Sequence, residues 1–275
     1  MYRVSAILSS IETKLSPPRF NLLKTIWLNF RTLPFRKACK LPIFLYGAWN
    51  LRSLQGNIII NSDRVSSGMI KLGLNWAGYV TTSSSTLTLL ANSKMVINER
   101  VRISQGVQIC LYQNSELYLG YNSHLGDGVK VICAKKITIE QNSEITWECQ
   151  ILDHGSHYIL DKGNGQVRRI IKPVKISSNC WIGNRSTIMP GTSLPSNSIV
   201  ASNSLLNKDY ISMGIKEYTL MGGIPARVLK ENVMRIYNRD NEFYCHQYFN
   251  DTCSEVLSAP FSMLHHEEIT RCKLC

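Results

Sequence analysis

The chain has 275 residues, 44% of them hydrophobic and 18% charged, with 31 Lys and Arg against 19 Asp and Glu and a formal net charge of +12. That apolar content excludes a mainly disordered polypeptide, and the length suffices for one large domain with appendages around a sizeable core. No apolar run approaches the roughly 20 residues needed to cross a bilayer. The start, Met1 to Leu8, is soon interrupted by Glu12 and Lys14, unlike a secretory leader.

The positive surplus invites an anionic partner. The basic residues gather at 14–40 (Lys14, Arg19, Lys24, Arg31, Arg36, Lys37, Lys40) and at 162–175 (Lys162, Arg168, Arg169, Lys172, Lys175). No zinc-finger, RNA-binding aromatic or basic-zipper spacing accompanies them, so nucleic acid is not the expected partner. Nine cysteines is an odd number, and Cys110, Cys133, Cys149 and Cys180 lie in strand-like text. Reduced thiols fit this pattern better than a disulfide framework, which predicts a cytoplasmic protein.

In chain order, residues 1–50 form a basic amphipathic segment. Leu22, Leu23, Ile26, Trp27 and Phe30 recur at helical steps, and Pro34 and Pro42 end the pattern. The favoured reading packs this apolar stripe against the main body or a neighbouring subunit; the other is peripheral attachment to a membrane at its inner face. The next segment, 51–212, is rich in β-branched residues. From Ile176 a period of six runs without a gap through Ile182, Ile188, Leu194, Val200 and Leu206. A small residue follows each of the first five by four positions: Cys180, Ser186, Thr192, Ser198 and Ser204.

Three weaker registers lie upstream: Ile97, Ile103, Ile109; then Leu119, Leu125, Val131, Ile137; then Ile139, Ile145, Ile151. The period has a physical cause. A chain wound as a triangular prism, one short strand per face, points one aliphatic inward from each face. The small residue two positions before it fits the tight corner. Successive turns then stack as parallel strands about 4.8 Å apart. The expectation is an all-β solenoid of hexapeptide repeats. Residues 161–173, with two glycines and a basic run, predict a loop ejected from the coil. After Tyr210 the period stops, and 213–275 forms a C-terminal segment with helical character at 231–249.

Four motifs carry a family resemblance: the repeat itself, Trp147 through His157 (WECQILDHGSH), Cys180-Trp181-Ile182-Gly183, and Gly222-Gly223-Ile224-Pro225-Ala226-Arg227. Together, over residues 95–230, they resemble hexapeptide-repeat acyltransferases, in the branch that O-acetylates sugars and surface polysaccharides. The resemblance implies a left-handed parallel β-helix with an N-terminal helical segment and a short helical C-terminal tail. It also implies a homotrimer, with acetyl-CoA as cosubstrate in the cleft between subunits, a carbohydrate acceptor and no metal. His157 matches the family's catalytic histidine. An acceptor hydroxyl needs a base with a pKa near neutrality to take its proton as it attacks the thioester.

Asp153, four residues earlier, is the candidate to fix the ring's tautomer, although Gly155 stands where the family has a second Asp. Trp181 matches a position near the active site, where its N–H could donate to substrate or oxyanion; packing is the alternative. For the cofactor the resemblance implies Gly183, where pantetheine could approach the strand backbone, with Ala201 and Ser202 along the pantetheine arm. Lys208 and Arg227 would meet the CoA phosphates, or are solvated surface charges. Gly223-Ile224-Pro225-Ala226 departs from the family's Gly-Asn-Pro-Ala.

Other readings compete. Trp147 is expected in the core, and His154 is the rival to His157. His124, His154 and His157 resemble the three-His zinc set of gamma-class carbonic anhydrases, with the wrong spacing between the last two. In the tail, Cys253, His265, His266, Cys272 and Cys275 contain one CxxC, which reads as free thiols more readily than as a zinc site. A nucleotidyltransferase with a solenoid tail is excluded, because residues 1–94 lack a large α/β domain. A non-catalytic binding solenoid stays open as a second function class.

Overall fold

Short β-branched segments separated by turn residues favour strands too brief to stand alone, so they must bury their inward faces against one another. The computed structural model describes residues 18–74 and 84–258, and the strands are stacked into a parallel β-helix with three faces. The first sheet runs β1 (Ile43–Leu45), β4 (Ile70–Leu72), β7 (Arg102–Ile103), β10 (His124–Leu125), β13 (Glu144–Ile145), β18 (Trp181–Ile182), β21 (Ile199–Val200) and β23 (Leu220–Gly223). It closes with the antiparallel β24 (Ala226–Lys230). The second sheet starts at β2 (Trp49–Leu54) and β5 (Ser85–Leu89) and passes through β8 (Gln108–Leu111), β11 (Lys130–Cys133), β14 (Gln150–Leu152) and β19 (Thr187–Ile188) to β22 (Leu205–Leu206). The third stacks β3 (Asn57–Asn61), β6 (Lys94–Asn98), β9 (Glu116–Leu119), β12 (Lys136–Ile139), β17 (Val174–Ile176) and β20 (Ser193–Leu194).

The repeat is therefore the coil. Ile176 and Leu194 lie on the third face, Ile182 and Val200 on the first, and Ile188 and Leu206 on the second, all buried. On the first face one column of inward side chains runs through Leu72, Ile103, Leu125, Ile145, Ile182, Val200 and Met221 in direct register. The small residues turn the corners as expected. Ser198 Oγ donates to Pro195 O (2.7 Å), and Ser204 Oγ to Ala201 O (2.7 Å). Along another corner Asn122, Asn142, Asn179 and Asn197 adopt the left-handed conformation that Asn tolerates, and their amides form a ladder of 3.1, 3.1 and 3.2 Å links, with a last one of 3.2 Å from Asn197 to Glu217.

Helix α1 (Leu22–Thr32) lies against the first coil, followed by the single turn α2 (Phe35–Ala38). Here the expectation that the apolar stripe packs on the main body is overturned. The face of α1 turned inward is Thr25, Leu28, Asn29 and Thr32, while Leu22, Leu23, Ile26, Trp27 and Phe30 are exposed. The reason is backbone chemistry. β1 is an edge strand, and its outward N–H and C=O groups need partners. Thr25 Oγ1 accepts from Leu45 N (3.0 Å), and Asn29 Oδ1 accepts from Ile43 N (3.1 Å). Asn29 Nδ2 donates to Ile43 O (2.7 Å), and Asn21 N donates to Leu45 O (2.8 Å). Polar side chains thus stand in for a missing strand.

The excursion from the coil begins earlier than the sequence suggested, directly after Leu152. The chain returns at Val174, and between them β15 (Leu160–Asp161) and β16 (Gln166–Val167) pair antiparallel as an arm. Residues 234–275 form a separate unit, in which α3 (Arg239–Asp251) is described. Asn238 caps α3, accepting from Asp240 N (2.8 Å) and Asn241 N (3.3 Å). Lys14, His265, His266, Cys272 and Cys275 lie outside the described residues.

All described cysteines are free thiols. Burial pushes Cys133 and Cys180 up to about 12 and Cys149 to about 11, so these three behave as small core residues rather than nucleophiles. No helix among the described residues is long and apolar enough to cross a membrane.

Candidate active site

Side chains alternate across a strand, so when Leu125, Ile145 and Ile182 point into the prism their neighbours point out. Register places His124 opposite Arg102 on one side and Glu144 on the other, and Glu144 opposite Trp181. Two residues further along each strand, Gly126, Thr146, Gly183 and Ala201 follow in successive coils. A pocket of about 260 Å³ opens on this outer face, lined by Ser104, His124, Asp127, Glu144, Trp147 and Trp181 among others.

The polar groups in this pocket form a network. Ser104 Oγ and His124 Nε2 are 2.9 Å apart, and His124 Nδ1 lies 3.5 Å from Glu144 Oε1. Glu144 is thereby positioned to stabilise a protonated ring. Asp127 is buried beside Ser104 and His124. Neither of its oxygens meets hydrogen-bond geometry, although the Ser104 side chain and the Gln105 backbone stand near enough to favour its charge. Burial pushes the Asp127 carboxyl above its ordinary range, and Ser104 and the His124 charge only partly oppose that. A buried acid short of partners next to an imidazole is equipped to take hydroxyl donors from a ligand.

Trp181 lines this pocket. Trp147 was expected in the core; it stands instead at the outer corner, lining the pocket with the Arg185 guanidinium 4.9 Å over its ring. Its sequence neighbours Ile145 and Cys149 take the inward positions. Gly183 and Ala201 continue the pocket's column, and the exposed Ser202 donates to Asn184 (2.6 Å), another lining residue. The need for Gly183 is internal, however. A Cβ there would sit 2.5 Å from Ser202 N and 2.7 Å from Val200 O, so the missing side chain lets the next coil stack. Lys208 follows β22 and Arg227 lies in β24 opposite Gly222, both exposed toward the C-terminal end of the stack.

His157 is on the arm, exposed, and no hydrogen bond or ion pair among the described residues engages its ring. Asp153 is not its partner here, which corrects the expected pairing. Asp153 is fully buried, with Oδ1 accepting from Ala134 N (2.6 Å) and Oδ2 from Lys135 N and Lys136 N (2.7 Å each). Its carbonyl accepts from Lys172 N (2.9 Å), so it pins the base of the arm. His154 packs against Tyr112 with ring centroids 5.1 Å apart. Among the described residues no three His, Cys, Asp or Glu converge as a metal-ligand set, so His124, His154 and His157 are not gathered as one.

Sequence reasoning passed over Ser104, Asp127 and Glu144, and weighed His124 only as a metal ligand. The available signal was the spacing of 20 residues from His124 to Glu144, one coil, with Ser104 two residues after Arg102, the partner of His124 on the coil before.

The described chain is thus a parallel solenoid with a polar pocket on its outer face. No family model matches the chain. The galactoside O-acetyltransferase of Escherichia coli K12 is 28% identical over 54% of this chain, which spans only 64% of that enzyme's length. A putative lipopolysaccharide biosynthesis O-acetyl transferase, WbbJ, of the same strain is 22% identical over 50% of this chain and 70% of its own. Among solved structures, the polySia-specific acetyltransferase NeuO aligns with 76% of this chain and 98% of its own at 17% identity, TM-score 0.48. The likeness to hexapeptide-repeat acetyltransferases of the sugar O-acetyltransferase branch, first carried by four motifs, is therefore also a likeness in sequence at large.

Proposed function

We propose that this protein is an acetyl-CoA-dependent O-acetyltransferase that acts on a carbohydrate hydroxyl in surface polysaccharide biosynthesis. The observation that carries the reading is the pocket joined in one outer column to Gly183 and Ala201, with Ser202 beside it on Asn184. The pocket offers imidazole, carboxylates and two tryptophans to a sugar, and the column offers small residues along which a pantetheine arm can lie. The relatives' named activities support the reaction type.

In this mechanism His157 Nε2 or Nδ1 takes the proton of the acceptor hydroxyl as its oxygen attacks the acetyl carbonyl. The C–S bond of the tetrahedral intermediate then breaks, and the imidazolium returns the proton to the departing thiolate. Water must be kept from the thioester meanwhile. Tyr158, Ile159, Leu160 and Val167 stand exposed next to His157, Ile159 by 80%. Exposed apolar surface of this kind favours burial against another subunit, which supports a homotrimer whose arms close over neighbouring pockets.

A second reading gives the proton transfer to His124, favoured by its place inside the pocket and by Glu144 at its Nδ1. Thiol release from acetyl-CoA across a panel of sugars separates the two. His157→Ala is expected to lower turnover by about 10²–10⁴ with the melting midpoint unchanged. Wild-type turnover in that variant, with loss in His124→Ala, transfers the role to His124. A binding solenoid without turnover predicts no thiol release with any sugar. CoA is expected to raise the melting midpoint, and no shift at saturating concentration speaks against a CoA site altogether.

A further inference from the structure

Helix α1 is inverted relative to a surface helix of an ordinary domain, where the apolar stripe faces the core. At 100° per residue, Leu22, Ile26, Phe30, Leu23 and Trp27 cover a stripe of about 140° on the side away from Thr25, Leu28, Asn29 and Thr32. Leu23 is 81% exposed and Trp27 59%, and Phe35 from α2 extends the patch at 73%. Arg31 and the partly buried Lys24 lie along one edge of the stripe, beside Trp27, and Arg19, Arg36 and Lys40 are exposed in the adjoining segments. No Asp or Glu occurs between residues 18 and 62. Lys24 Nζ donates to Trp49 O and Lys37 Nζ to Ile60 O (3.1 Å), whereas no ion pair among the described residues uses Arg19, Arg31, Arg36 or Lys40.

We propose that α1 and α2 dock the protein on an anionic lipid bilayer, with Leu23, Ile26, Trp27, Phe30 and Phe35 entering the interface and the arginines and Lys40 meeting lipid phosphates. A polar face, here spent on capping the coil, and an opposite apolar face edged by arginine and lysine is the pattern of an interfacial helix. Trp prefers the boundary between headgroup and acyl chain. A second copy of this chain is the weaker occupant, because a self-complementary contact would bring the same basic rims together with no acid to answer them. The inference is independent of the acetyltransferase reading: it concerns the end of the stack, not the pocket.

The test is co-sedimentation of the full chain with vesicles of phosphatidylglycerol and phosphatidylcholine, against phosphatidylcholine alone, without CoA. Binding is expected to mixed vesicles, and to weaken as ionic strength rises from about 0.1 M to about 1 M, where the screening length falls to about 3 Å. Leu23→Glu, Ile26→Glu and Trp27→Glu together are expected to reduce it at least about tenfold. All three sites are exposed, so the melting midpoint and thiol release with a soluble sugar should stay those of the wild type. Arg31→Glu with Arg36→Glu should weaken binding to mixed vesicles only. Failure of the wild type to sediment, or a triple variant that sediments as well as the wild type, overturns the proposal. So does a triple variant whose only change is a smaller mass by light scattering, since the face then belongs to another copy.

Discussion

From Ser85 to Leu152 and again from Val174 to Leu206, each strand turns at least one side chain into the prism and buries it, whereas between these blocks residues 156–169 are exposed without exception. Both regions contain Ile, Leu and Val, so composition does not separate them; register does. In the coils a side chain is held by apolar neighbours above and below, and its hydrophobic free energy goes into the fold. In the arm the same residue types gain nothing from this chain's own core. The difference separates labour: coils carry stability, and the arm is left free to carry His157 and to be buried by something else.

The largest effect that would test this division is on the coil. Ile182→Ala removes methyl groups from a closed column and is expected to cost about 2–5 kcal/mol by denaturant unfolding. A cost as small as a surface substitution gives would mean the column is not packed as described. Gly183→Ala pushes a Cβ against Ser202 N and is expected to cost about 1–3 kcal/mol by the same measurement, with no ligand present. Tolerance of that alanine would return the glycine to ligand approach rather than stacking.

Smaller is Asp127→Asn. The folded-state pKa of Asp127 is raised, so the folded protein holds that proton more tightly than the unfolded chain. Stability is then lost as pH rises from the ordinary value of 3.8 through the raised one. The variant is expected to melt higher than the wild type at pH 7, the gap closing on acidification. A lower midpoint at pH 7 would show that the charged carboxylate is well solvated in the fold. Least of all, Ile159→Ser in the arm is expected to change the stability of the isolated chain by no more than about 0.5 kcal/mol. If it also lowers activity, the division between the two regions is sharp.

The fold was legible where one rule acts alone. An aliphatic every six residues means three faces and one inward side chain per face, and Ile176 to Leu206 obey this without interruption. Trp181, Gly183 and Ala201 were named from the resemblance rather than from the period; the stacking puts Trp181 in the pocket and Gly183 and Ala201 in one outward column. The pocket was not, because Ser104, His124, Glu144 and Trp181 are contributed by successive coils and only the stacking brings them together. The excursion at residue 153 hid the next step of that spacing. Asp153 was misread because a carboxylate near a histidine in sequence suggests a dyad, while the backbone amides of residues 134–136, on the preceding coil, claimed it first. The helix was misread because hydrophobicity was allowed to decide its inward face, when the demand there was for hydrogen bonds to Ile43 and Leu45.

That demand has a consequence for how the molecule ends. A stack of parallel strands has no intrinsic length, and a bare terminal strand invites the corresponding strand of another chain to continue the ladder. Such head-to-tail addition does not close on itself and leads to filaments. Thr25 and Asn29 occupy the two amides that would begin this growth, and at the far end the returning β24, with Pro225 in its turn and Arg227 and Lys230 along it, meets the last parallel strand. Two polar side chains on a short helix therefore set a boundary on polymerisation as well as a start to the coil.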